Sequence, residues 1–135
     1  MDFSYSDEQR MLKDMVDRVV ADQYDFEART KIVDSETGFS ADLWSQFAEL
    51  GLLAVPFSEA AGGFDGGGAE LMVVAEGFGR GLVVEPYLSS VVLAGTFIDA
   101  IAGDDKKTAL IEPIISGETR YTLACYEAAG RYNPH

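Results

Sequence analysis

The sequence has one cysteine, one histidine and four prolines in 135 residues, and only 10 Lys and Arg against 23 Asp and Glu. Each shortage excludes something. With Cys125 alone, no internal disulfide can form, nothing asks for an oxidising compartment, and the cytoplasm is the expected location. His135, the sole histidine, is the last residue, which argues against a histidine-based triad or a His-rich metal site in a positioned core. No metal is expected. The formal charge of −13 would repel a phosphate backbone, so nucleic acid is not an expected partner. Basic residues are too scattered to form the cationic face that anionic membranes attract. Long apolar runs are missing too: Val91 to Gly95 and Ala48 to Val55 fall far short of the ~20 residues that span a bilayer. The opening Met1-Asp2-Phe3-Ser4-Tyr5-Ser6-Asp7-Glu8 has neither the basic start nor the apolar run of a secretion signal. The expectation is a soluble chain without membrane contact.

What is present is periodic apolar content, enough at this length for one domain with a core. Ser6-Asp7-Glu8-Gln9 has the form of a capping box and should open a helix, with Leu12, Met15, Val16, Val19 and Val20 on one face. That helix is expected to run past Tyr24 towards Ile32. Ser40 can cap a second helix that turns Leu43, Trp44, Phe47 and Leu50 inward and stops at Gly51. Pro56 lacks an N–H and disfavours helix in the residue before it, so residues 52–56 read as a short extended linker. A third helix is expected over Ala69 to Arg80, with Leu71, Val74, Ala75 and Phe78 inward. Glu85-Pro86 opens a fourth, carrying Leu88, Val91, Val92, Gly95 and Ile98 and buried on several sides. A last helix spans Asp104 to Ser116, with Asp104 and Asp105 at its positive end, Leu110, Ile111, Ile114 and Ile115 inward, and Gly117 as its stop. From Thr119 to Tyr126 the pattern turns β-branched and aromatic with period two, which reads as a strand without a partner in this sequence. The expected fold class is therefore all-α: a bundle of about five to six helices with a short C-terminal strand. The domain division is a helical domain over 1–118, then the first strand of a truncated β-domain over 119–135.

Few motifs carry chemistry. Between Gly62 and Gly68 five of seven residues are glycine, which admits a phosphate cradle of backbone N–H groups or a close-packed turn. Gly68-Ala69 stands where a P-loop needs Lys and Ser or Thr, so the turn is favoured. Gly77-Phe78-Gly79-Arg80-Gly81 misses the dinucleotide fingerprint. Glu76 and Glu85, flanked by apolar residues, are the semi-buried acids, and Arg80 accounts for Glu76 through an ion pair. Cys125 reads as an inert strand thiol. No catalytic residue emerges.

Four stretches in this order resemble the N-terminal helical domain of the acyl-CoA dehydrogenases. They are Phe3 to Leu12, Trp44 to Pro56 with Glu59-Ala60-Ala61-Gly62-Gly63-Phe64, Glu76-Gly77-Phe78-Gly79-Arg80, and Ala102 to Lys107 followed by Pro113 to Gly117. Gly81 to Tyr87 and Glu127 to Asn133 are similar to divergent subunits of that family, including those paired in heteromers that oxidise dicarboxylic or sterol side-chain thioesters. The family usually has Thr-Glu-Pro near the end of this stretch, and here Tyr126 and Ala128 stand at its threonine and proline.

The resemblance implies α,β-dehydrogenation of an acyl-CoA thioester by FAD, with electrons passing to an electron-transfer flavoprotein, in a homo- or hetero-oligomer. It places the catalytic base and most flavin contacts in later domains, so the residues here are expected to be inactive alone. It implies that Ser89 and Leu93 line the acyl pocket and that Leu123, Cys125 and Tyr126 meet the flavin. The other class of function open to such a chain is a non-catalytic helical module that binds a partner subunit.

Overall fold

The computed structural model describes residues 4–125, in which six α-helices and one π-helical stretch pack around a single core. Helix α1 spans Asp7–Gln23. Its capping box is formed as expected: Gln9 N donates to Ser6 Oγ at 3.2 Å, and Ser6 N donates to Gln9 Oε1 at 3.0 Å. Val16 and Val19 are buried, and Leu12, Met15 and Val20 pack beside them. The helix does not continue to Ile32. It stops at Tyr24, and Asp25 caps a separate helix, α2, over Phe26–Val33 by accepting from Ala28 N at 2.7 Å. An Asp side chain competes well for first-turn N–H groups, and this local bond outweighs helix continuity.

Helix α3, Ala41–Glu49, buries Leu43, Trp44 and Phe47, starts at Ser40 and ends at Gly51. Residues 52–54 then form a 3-10 turn where an extended linker was expected. Val55 stays in the right-handed helical region although Pro56 follows. Leu52, Leu53, Ala54 and Val55 are all buried, so the gain from burying four apolar residues overrides the pre-proline preference.

The glycine segment folds back onto this turn. After a second 3-10 turn, Glu59–Ala61, every backbone N–H from Gly62 to Gly67 is already committed: Gly63 to Ser58 O, Phe64 to Ala54 O, Asp65 to Phe57 O and Gly66 to Val55 O. Gly62 N donates to Glu59 O, and Gly67 N to the Glu70 carboxylate at 2.8 Å. From Gly62 to Gly67 no N–H remains for a phosphate, which supports the close-packed turn.

Helix α4, Gly68–Gly81, lies against α1. A Cβ on Gly77 would sit 2.4 Å from Val16 Cγ1, and one on Gly81 2.4 Å from Val20 Cγ1, so both glycines serve close helix approach. Glu70 joins the two N-termini by also accepting from Gln9 Nε2 at 2.8 Å. Val73, not singled out by periodicity, is buried, whereas Ala75 is exposed.

After Pro86 the chain runs as a π-helix over Tyr87–Gly95 and continues as α5, Thr96–Ile101. Tyr87, Ser90, Val91, Ala94 and Gly95 face the core. The expectation of burial on several sides fails at Leu88, which is 65% exposed, and Leu93, Phe97 and Ile101 also stand open. Helix α6, Asp104–Ile115, turns Ile111 and Ile114 inward, while the Asp104 and Asp105 side chains lie outside the described residues. Asp99 ties three elements together: its carboxylate accepts from Ser58 N at 3.1 Å and Ser58 Oγ at 3.0 Å and pairs with Lys107 at 3.3 Å. Burial pushes its pKa up, but these partners outweigh that and hold it below the usual aspartate value.

Residues 118–125 have no regular secondary structure, and no strand occurs among the described residues. The expected strand has no ladder partner here, and β-propensity by itself does not make one. Tyr126, with the rest of the expected β-segment, lies outside the described residues.

Candidate functional site

An open cavity of about 500 Å3 lies between α2, α4 and the start of the π-helix. Leu71, Phe78, Leu82, Val83, Leu88 and Val92 make most of its wall. Beneath it Phe47 stacks on Phe78 with ring centroids 4.9 Å apart, and Phe78 meets Tyr87 edge-on at 5.2 Å. Tyr87 Oη donates to Leu52 O at 3.0 Å, and its burial raises its pKa, so it is a neutral structural hydroxyl. Arg29 reaches the wall from α2, where Nε donates to Leu82 O at 2.9 Å. Nothing in the sequence pairs two residues 53 apart, and only folding brings them together.

Glu85 is the buried acid of this region. Its Oε1 accepts from Ser40 N at 3.1 Å, while Oε2 has no partner among the described residues. Burial raises its pKa above the usual glutamate value, partly opposed by the Ser40 N–H. Because the folded value lies above the unfolded one, the fold binds an extra proton between the two, and stability is lost as pH rises through that window. Glu85→Gln is therefore expected to stabilise the protein by about 1 kcal/mol at pH 7. Below pH 4, where both forms are neutral, it should gain nothing. Urea unfolding at the two pH values checks this, and an equal change at both would refute it. Glu76 behaves as expected, half-exposed and 3.7 Å from Arg80.

The residues singled out from sequence fall in two places. Ser89 is half-buried, its Oγ donating to Pro86 O at 3.3 Å, and Leu93 is 49% exposed. They lie outside the cavity, on the neighbouring face of the π-helix that continues through Phe97 and Ile101. Leu123 and Cys125 are exposed at the C-terminal end of the described chain, and Tyr126 lies beyond it. Among the described residues no three or more His, Cys, Asp and Glu are grouped to hold a metal, and no helix is long and apolar enough to cross a membrane. The cavity is walled mostly by apolar side chains, with Arg29 and Glu85 among its lining residues.

Such walls need an identity from elsewhere, and the model of the acyl-CoA dehydrogenase N-terminal domain matches residues 6–118. The chain belongs to the acyl-CoA dehydrogenase family. Within that family it is 27% identical over 124 residues to the acyl-CoA dehydrogenase FadE27 of Mycobacterium tuberculosis, covering 92% of this chain and 33% of that protein. Its fold is similar to the ChsE4-ChsE5 complex from Mycobacterium tuberculosis, with a TM-score of 0.86 and 27% identity over 96% of this chain and 36% of that one. A variant of the Tcur3481-Tcur3483 steroid ACAD matches with a TM-score of 0.81 and 27% identity over 90% of this chain and 33% of that one. The chain thus spans about a third of the length of these acyl-CoA dehydrogenases and corresponds to their helical N-terminal domain.

Proposed function

We propose that this chain is the N-terminal portion of an FAD-dependent acyl-CoA dehydrogenase, contributing a wall of the acyl pocket and subunit contacts, with no catalytic group of its own. The family match across residues 6–118 carries the proposal. The exposed apolar row Leu93, Phe97 and Ile101 supports it, because a free domain gains nothing from leaving such a face in water. Ser89 and Leu93 would line the acyl chain of the thioester. Leu123, Cys125 and Tyr126 would lie along the flavin, and the exposure of Leu123 and Cys125 fits one-sided contact. FAD would supply the hydride-accepting chemistry for the β-carbon, with Leu123, Cys125 and Tyr126 as this chain's contribution along it. An electron-transfer flavoprotein is the fitting acceptor, and a cytoplasmic location suits the lone thiol Cys125.

A homo- or hetero-oligomer belongs to the same reading, since the ChsE4-ChsE5 relative is a two-protein complex. The substrate class favoured is a sterol side-chain or related acyl-CoA, in keeping with the steroid ACAD relative. Two preparations test this by flavin absorbance: the chain alone, and the chain joined to, or co-expressed with, a β-domain-containing dehydrogenase segment from its own gene neighbourhood. No flavin is expected in the first, and stoichiometric FAD with acyl-CoA bleaching in the second. FAD on the chain alone, or none in either, would overturn the proposal. The second of these results would favour a non-catalytic interaction module.

A further inference from the structure

Ser90 is buried completely, yet it is a polar residue in an otherwise apolar, core-facing part of the π-helix between Tyr87, Val91 and Ala94. A hydroxyl placed there costs desolvation unless it is bonded, and alanine would fill the same space without that cost. Its partner is 31 residues away: Tyr121 N donates to Ser90 Oγ at 3.2 Å. Two further ties hold the same segment. Thr119 N donates to Pro113 O at 2.9 Å, and the Arg120 guanidinium lies 4.7 Å above the Phe39 ring. Beyond Tyr121, residues 122–125 make no hydrogen bond among the described residues, so the Ser90 bond is the last polar tie before Leu123 and Cys125.

We infer that the Ser90 hydroxyl is a positioning group: it fixes the direction in which residues 122–125 leave the helical domain. The inference rests on the reading above that Leu123, Cys125 and Tyr126 face the flavin. Four extended residues reach ~13 Å, so a small rotation at Tyr121 displaces Cys125 by several times the tolerance of a productive contact. Arg120 also grips the segment, but a side chain lying over a ring leaves the backbone free to turn, whereas a bond to the Tyr121 N–H fixes the peptide plane itself.

The lone Cys125 is exposed and takes a nitroxide label, and Glu49→Cys on the exposed side of α3 takes a second. Pulsed electron spin resonance between the labels should give a narrow distance distribution in the otherwise unaltered chain. Ser90→Ala, which removes one oxygen and adds no volume, should broaden it about twofold and speed exchange of the Tyr121 amide about tenfold, with Val91 and Ala94 amides unchanged. Arg120→Ala should leave the Tyr121 amide protected. An unchanged distribution in Ser90→Ala, or release of the Tyr121 amide by Arg120→Ala alone, would overturn the inference. If Ser90→Ala broadens the distribution while the longer flavin-domain protein never binds FAD, the anchor stands and the dehydrogenase reading is what fails.

Discussion

Gly63→Ala is expected to destabilise the domain by about 3 kcal/mol. A Cβ at this position would lie 2.2 Å from Phe57 O and 2.5 Å from Phe57 Cβ. Neither atom can yield cheaply: Phe57 is fully buried, its ring lies against Gly95, and its carbonyl already accepts from Asp65 N at 2.7 Å. Relief requires the loop to lift, which breaks bonds such as Gly63 N to Ser58 O and Phe64 N to Ala54 O. Overpacking of a well-filled site costs ~1–3 kcal/mol, and each backbone bond lost adds about 1. The control is Gly68→Ala, where a Cβ meets nothing within 4 Å and the residue opens α4. There the better helix former should stabilise by up to about 1 kcal/mol. Urea midpoints of the two variants should move in opposite directions. A Gly63→Ala midpoint equal to the parent's would mean that the turn is not close-packed.

Phe47→Ala is expected to cost more, about 3–5 kcal/mol. Phe47 is fully buried on α3 and stacks on Phe78 of α4, which in turn meets Tyr87 at the start of the π-helix. Removing the ring empties space where three elements join, and Phe78, which forms part of the cavity wall, loses its support. Because domains of this kind are stable by only ~5–15 kcal/mol, this single change takes a large share of the total. The denaturant midpoint and near-ultraviolet circular dichroism of the aromatic cluster check the result. A loss below about 1 kcal/mol would show that the cluster repacks and does not organise the cavity.

Expectations from sequence succeeded where a local pattern and a tertiary demand coincide. The Ser6–Gln9 box, the Ser40 cap and the inward face Leu43, Trp44 and Phe47 are all as expected, because a cap and a 3.6-residue stripe need only near neighbours to be recognised. The misses share one origin. Residues 52–56 have a strong local argument against helix, yet 52–54 adopt a 3-10 turn because the core closes over them. Leu88 and Ala75 have core-like character and end on the surface, while Val73, which the periodicity did not single out, is buried. Of the candidate site, the buried acid Glu85 was legible from its apolar flanks. The cavity was not, because Arg29, Phe78 and Leu88 meet only after three helices pack.

The sequence by itself determined the fold class, because helix caps and apolar periodicity are properties of short stretches, and it pointed to the family through four stretches whose order resembles the acyl-CoA dehydrogenase N-terminal domain. Only the tertiary structure decided what the glycine run does and what Ser90 does. An N–H free to hold an anion and one already bonded to a carbonyl are identical in sequence, as are a serine facing water and one gripping Tyr121 from 31 residues away. Hydrogen-bond partners distant along the chain are assigned by packing, and packing is settled when the core closes.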